Sequence, residues 1–265
     1  MQYVHGYSER ESVRLKDQAE TLNTILHGDT RYLPGEKVLE AGCGIGAQTL
    51  ILTQNNPDTR FTSMDISAAS LKIAQKTINE IGMTNVEFLQ GDIFHLPFED
   101  ESFDHIFICF VLEHLKNPVE ALSCLKRVLK KNGSITVIEG DHGSTYFHPH
   151  SETAMKTVEC LVEMQKRANG NALIGRELYP LLTDAGFNGV MVSPRMVYVD
   201  DSKPHLVEGF TRNTFVAMVE GVQEAAISAG LMNGQAWQTG MSDMRKSAQG
   251  GGTFCYTFFK AIGYK

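Results

Sequence analysis

The stretch Val38-Leu39-Glu40-Ala41-Gly42-Cys43-Gly44-Ile45-Gly46 decides how this chain is read. Two apolar residues lead into an acid, then three glycines alternate at Gly42, Gly44 and Gly46, and the apolar segment Thr49-Leu50-Ile51-Leu52 follows. This pattern describes a buried strand, a tight turn and the opening of a helix. Glycine belongs in such a turn because it lacks a Cβ and tolerates positive φ, so the backbone can pass close to another group. A strand–turn–helix corner of this type is where doubly wound α/β folds bind nucleotide-like ligands. The corner alone leaves the ligand open, because Gly42-x-Gly44-x-x-Ala47 also satisfies the looser dinucleotide fingerprint that ends in Ala.

Working outward, the rest of the chain alternates helices and strands. Leu15, Ala19, Leu22 and Leu26 keep helical spacing from Glu9 to Leu26, and Pro34-Gly35 breaks the chain before the first strand. Arg60 to Met64 reads as a second strand ending at Asp65, and Leu71, Ala74, Ile78 and Ile81 mark the next helix. Val86 to Leu89 is a third strand, and Phe103 to Val111 is apolar enough for a central parallel strand buried on both faces. Asn117-Pro118-Val119-Glu120 opens a helix with a cap, a proline and a reciprocal acid; Asn132-Gly133 then turns into a fifth strand, Ser134 to Glu139. Five strands alternating with helices imply a parallel sheet with right-handed crossovers.

Beyond residue 140 the spacing predicts helices at Met155 to Ala168 and Gly175 to Ala185, then strands at Gly189 to Val199 and Thr253 to Ala261. Pro194 is expected to mark a bulge or strand end. Between the last two strands lie roughly fifty residues, too many for a hairpin loop. In them Phe215, Met218, Val222, Ala225 and Ala229 keep helical spacing, and Gln235 to Ser247 reads as a second helix.

The bulk composition excludes several classes. The 265 residues are 42% hydrophobic and 21% charged, ordinary for a globular protein, and the net charge of -7 argues against nucleic acid as a partner. No apolar run reaches the roughly 18 residues that span a bilayer, so membrane insertion is not expected; Met1 to Arg14 is polar and charged, so a secretory leader is not expected either, and the cytoplasm is the expected location. The five cysteines contain no C-x-x-C pair, which fits reduced thiols better than disulfides or zinc.

Asp65 ends the second strand, 23 residues after Gly42, where an acid of this fold accepts from ribose hydroxyls. Asp92 follows the third strand, where it serves either the ligand or turn chemistry in Gly91-Asp92. With Glu40 these make three carboxylates at one sheet edge. Such an edge repels a pyrophosphate and attracts a cationic, ribose-bearing ligand. No phosphate-binding P-loop sequence is present.

These residues resemble the class I S-adenosylmethionine-dependent methyltransferases, in particular small-molecule enzymes similar to the quinone-biosynthesis methyltransferases. The resemblance rests on Val38 to Gly46, Asp65-Ile66-Ser67, Gln90-Gly91-Asp92, Leu96-Pro97-Phe98, Ser102-Phe103-Asp104 and Val111-Leu112-Glu113-His114-Leu115, and covers about residues 33 to 140. It implies a doubly wound α/β fold with a mostly parallel seven-stranded sheet, an antiparallel last strand and helical lid elements. It also implies S-adenosylmethionine as cofactor and a small-molecule acceptor. The turn Gly42, Cys43, Gly44 and Gly46 would lie against the methionine part, with Glu40 facing the amino group. Asp65 would hold the ribose, Ile66 the adenine face, Asp92 the adenine amino group and Ile93 backbone contacts, with Phe110 under the cofactor; Tyr7 would add a contact. A tight joint between the last two strands is usual in that family, and residues 204–250 depart from it.

The expected organisation is one domain, 1–265: an N-terminal helical lid at 1–32, a cofactor half at 33–140, further sheet elements at 141–203 and 251–265, and a helical insert at 204–250 serving as an acceptor lid. Phe210, Phe215, Met218, Trp237 and Met241 would line an apolar pocket there or simply be core. Methyl transfer from a sulfonium needs mainly alignment and exclusion of water. Where the acceptor needs a base, the candidates are His114, Glu139 and His142, with Asp141, Tyr146, His148 and His150 nearby. No metal site is expected from the spacing of His142, His148 and His150. Two other readings compete. An NAD-dependent oxidoreductase would share the glycine turn and Asp65 but leave Asp92 unexplained, and a catalytically silent S-adenosylmethionine-binding protein would keep every motif.

Overall fold

The computed structural model describes residues 9–265, so Tyr7 lies outside the described residues. The chain divides into two compact units that interleave along the sequence, one formed by 26–139, 174–194 and 259–265 and the other by 9–25, 140–173 and 195–258.

The first is a sheet unit. Its strands are β1 Lys37–Ala41, β2 Arg60–Asp65, β3 Val86–Gln90, β4 Phe103–Cys109, β5 Leu129–His148, β6 Asn188–Val199 and β7 Thr253–Tyr264, of which β5, β6 and β7 each contribute only a part here. The seven strands are ordered β3-β2-β1-β4-β5-β7-β6, mostly parallel, with β7 antiparallel to both neighbours. The expected α/β class and antiparallel last strand are what the chain forms. The register sets Glu40 opposite Ser63, Asp65 opposite Gln90 and Cys109 opposite Ile138. The C-terminal ends of β1 to β4 therefore meet at one edge. Helix α1 Glu9–His27 precedes β1 in the chain, and helices α2 Ala47–Asn55, α3 Ala68–Glu80 and α4 Pro118–Val128 are the crossovers. The core is aliphatic: Leu39, Ile106, Ile108, Leu122, Leu125 and Val137 are completely buried. Asn117 does not cap α4 as expected. Its side-chain amide donates to Glu120 at 3.0 Å instead, so proline alone sets the first turn.

Lys260, on β7, is 2% exposed. Its ammonium donates to Asp29 Oδ1 at 2.6 Å, Thr30 Oγ1 at 2.7 Å and Leu26 O at 3.3 Å. This satisfies all three donors of a buried cation and ties down the C-terminal end of the helix Glu9–His27, where a positive charge also favours the helix dipole.

In the other unit, residues 140–148 continue β5, where the sequence reads as a loop after Glu139. Gly140, Asp141, Gly143 and Ser144 have low strand propensity. Pairing overrides it, with Ser144 Oγ accepting from Thr257 N–H at 2.9 Å. The insert begins with a continuous helical stretch that is α-helical over Pro204–Leu206, a π-helix over Val207–Val216 and α-helical again over Ala217–Glu220. Shorter helices follow at Gln223–Ser228 and Gly234–Lys246, so the run expected through Ala229 is broken at Gly221-Val222. Phe210, Phe215, Phe254, Tyr256 and Phe258 interlock with ring centroids 4.7–5.9 Å apart. Trp237 is fully buried. Gly240 lets the helix Gly234–Lys246 approach Glu152–Arg167 closely: a Cβ there would stand 2.7 Å from Thr153 O. Phe210, Phe215, Met218, Trp237 and Met241 are all buried, so they are the core of this unit and not the lining of an open pocket.

Candidate functional site

The glycine turn follows β1. The N–H groups of Gly42 and Cys43 both donate to Met64 O, at 2.8 and 3.0 Å, which binds the turn to the end of β2. The three glycines have different reasons. A Cβ on Gly42 would stand 2.4 Å from Val111 Cγ2, and one on Gly46 would stand 3.0 Å from the Ala74 backbone on α3. Both are required by close packing. Gly44 has φ of +52° and meets nothing within 4 Å, so its open side faces no protein atom. Cys43 is buried, and burial with nearby Glu40 and Asp65 pushes its thiol up, so it fills space and stays neutral.

The three predicted acids occupy one sheet edge but different environments. Glu40 is 2% exposed, and its Oε2 accepts from the hydroxyls of Thr49 and Ser63, each at 2.6 Å. Burial pushes its carboxyl up to about 7 against these hydroxyls. Asp and Ser at this strand end can each cap the following helix, so a cap from Ser67 would leave Asp65 free. Ser67 does cap α3, accepting from Ser70 N–H, yet Asp65 is also engaged. Its Oδ2 accepts from Gly44 N–H at 2.7 Å and its Oδ1 from Ser67 N–H at 2.8 Å. A carboxylate has about four acceptor positions, so half remain for a ligand. Asp92 holds its own turn, accepting from Phe94 N–H at 3.0 Å and lying 3.3 Å from His95 Nδ1. Ile66 is 53% exposed beside Asp65, and Gln90 donates to its carbonyl at 3.1 Å. Ile93 is partly buried against the aliphatic core.

The end of β4 completes this edge. Phe110 has φ of 57°, a left-handed conformation that a bulky residue adopts only where its surroundings impose it. Its N–H donates to Ile138 O at 2.9 Å. The chain then makes the short turn Leu112–His114. Glu139 lies beneath, wholly buried, and its Oε1 accepts from the N–H groups of Val111 at 3.0 Å and Leu112 at 2.7 Å. Burial first, then the charge of Glu113, pushes its carboxyl well above the ordinary range. Glu139 thus supports the turn. His114 Nε2 stands 3.5 Å from Glu113 Oε1.

The three candidate bases fall in two units. Glu139 and His114 share the sheet unit, whereas His142 belongs to the other. There His142 Nδ1 lies 2.7 Å from Tyr256 Oη, its ring packs edge-on against Phe215 and its N–H donates to Ala172 O. Sequence reasoning assigned no role to Glu113, Val111 or Tyr256. Glu113 and Val111 stand in a quoted motif, and their placement beside Glu139 and Gly42 follows from β4–β5 pairing. Nothing in the sequence links Tyr256 to His142, 114 residues away.

Comparison with known proteins agrees with this geometry. The chain is 31% identical over 225 residues to an uncharacterized 37.1 kDa protein in transposon TN4556 of Streptomyces fradiae, a match covering 84% of this chain and 61% of that protein. It is also 31% identical over 110 residues to a demethylmenaquinone methyltransferase of Listeria welshimeri, covering 41% of this chain and 47% of the relative. The chain thus spans about half to three-fifths of these relatives. The crystal structure of the YcgJ protein from Bacillus subtilis shares the fold, with a TM-score of 0.57 at 16% identity over 93% of this chain and 98% of that one. The family model described as methyltransferase domain matches residues 33–186, which include the glycine turn, the three acids and the Glu113–Glu139 edge. By that match the chain belongs to the methyltransferase domain family.

Proposed function

We propose that this protein is a cytoplasmic S-adenosylmethionine-dependent methyltransferase that acts on a small-molecule acceptor. The observation that carries the reading is the open face of Gly44 beside the carboxyl of Asp65, on the sheet edge that also carries Glu40 and Asp92. The donor set fits this cofactor. Three acids suit a cationic ligand without phosphate, Asp65 keeps acceptor positions for a ribose diol, and exposed Ile66 offers an apolar face to adenine. Asp92 and Ile93 would hold the adenine edge, and Glu40, Cys43 and the glycine backbone the methionine end. When bound, S-adenosylmethionine supplies an electrophilic methyl group on a sulfonium.

The protein's own part is to orient and to exclude water. Asp65 fixes the Gly44 N–H, so the turn is shaped before a ligand arrives. Phe110 is held left-handed at the same edge, where its ring would exclude solvent. The name of the Listeria relative makes a quinone precursor the first acceptor to test.

Two measurements test the reading. Calorimetry should give saturable binding of S-adenosylhomocysteine and none of NAD; the reverse would establish the oxidoreductase alternative. A screen with labelled methyl donor across thiols, phenols, amines and quinone precursors should find an acceptor. Binding without transfer to any of them would favour the silent binding protein.

A further inference from the structure

The two oxygens of Glu139 are treated differently by the fold. Oε1 accepts two backbone N–H groups, while Oε2 is buried and has no hydrogen-bond partner. An ionised carboxylate would leave half of a buried anion unsolvated, which costs far more than an unpartnered neutral O–H. The titratable groups that act on it do not favour charge. Glu113 is an acid, with His114 standing on it at 3.5 Å, and Cys109 is a thiol whose ionisation burial opposes. The backbone amides of Val111, Leu112 and Glu113 pull the other way, and burial outweighs them.

We propose that Glu139 carries a proton on Oε2 in the working protein, and that this neutral acid is the post on which the Phe110–His114 turn is set. With the proton there, Oε1 remains a carbonyl oxygen able to accept from both Val111 and Leu112. Ionisation would place a second negative charge against Glu113 and push on the turn whose Val111 side chain packs over Gly42. Glu139 is therefore a positioning residue for the glycine turn. Its link to turnover rests on the methyltransferase reading, whereas the proton does not.

Infrared difference spectroscopy between the wild type and Glu139→Gln tests the proton. The wild type at neutral pH should show the C=O stretch of a protonated carboxyl that Glu139→Gln lacks. In Glu113→Gln that band should vanish at a lower pH than in the wild type, because the charge opposing ionisation is gone. Thermal unfolding gives an independent reading. A raised carboxyl stabilises fully below its unfolded value and loses that contribution as pH rises toward its folded value, so the wild type should lose more stability over this range than Glu139→Gln, whose remaining slope is that of Glu40. Absence of the band, or failure of Glu139→Gln to fold although it has the shape of the neutral acid, overturns the proposal. Once an acceptor is known, the wild-type pH profile should fall on the alkaline side and the Glu139→Gln profile should lack that limb. A limb that persists overturns the link to turnover. The band decides the proton whether or not an acceptor has been found.

Discussion

The sheet unit and the insert-bearing unit solve packing in opposite ways. In the sheet unit an aliphatic core, built from strands and the helices that cross between them, leaves polar chemistry at the strand ends. In the other, aromatic rings from β7 and from residues 204–250 interlock, and the polar group among them, His142, is held by Tyr256. The first architecture leaves Asp65 and Asp92 partly exposed at the strand ends. The second packs the rings of Phe210, Phe215, Phe254, Tyr256 and Phe258 on one another. The contrast teaches that an apolar-rich insert is not by that fact a pocket: its rings hold the unit together before they can serve a ligand.

The most severe test of that contrast is Trp237→Ala. Emptying a fully buried indole should cost about 3–5 kcal/mol in denaturant unfolding, and a loss below about 1 kcal/mol would return Trp237 to the role of pocket wall. Next is Glu40 in the sheet unit. Its carboxyl sits at about 7 when folded and 4.5 ordinarily. It should add on the order of 3 kcal/mol of stability below the ordinary value, a contribution lost as pH rises through about 7. Glu40→Gln should flatten that slope in pH-resolved unfolding, and an unchanged slope would assign it elsewhere. Asp65→Asn replaces an acceptor with a donor opposite Gly44 N–H or Ser67 N–H, so calorimetry should show S-adenosylhomocysteine affinity reduced about tenfold or more. Gly44→Ala is the mildest for stability, about 1 kcal/mol for the left-handed backbone, because a Cβ there meets no protein atom. Its effect on ligand affinity should exceed its effect on stability; the opposite ratio would mean that the open face is not the ligand's.

The two units also differ in how far they could be read from sequence. Glycines, an acid at each strand end and the apolar run of β4 are local signals, and each landed where the spacing put it. What could not be read depends on pairing between distant segments. Residues 140–148 look like a loop because glycine, aspartate and serine disfavour strands, and only their pairing partner Thr257 makes them one. The π-helix at Val207–Val216 has no mark that separates it from ordinary helical spacing. At the site, Asp65 was placed correctly on its strand, but its hold on Gly44 depends on a turn geometry that spacing does not encode. Glu139 and His142 read from sequence as groups that follow the fifth strand, whereas the longer β5 carries both within it.

The tie from Lys260 to Asp29 joins residues 231 positions apart, which has a consequence for the order of folding. The C-terminal end of the first helix is satisfied by a strand that a ribosome makes late. Closing so long a loop is paid for in chain entropy before the contact returns anything. The early strands β1 and β2 can pair while the nascent chain is still short, but that helix end stays without its cation until β7 has been synthesised and inserted. Completion of the fold therefore waits on its penultimate strand position, between β5 and β6.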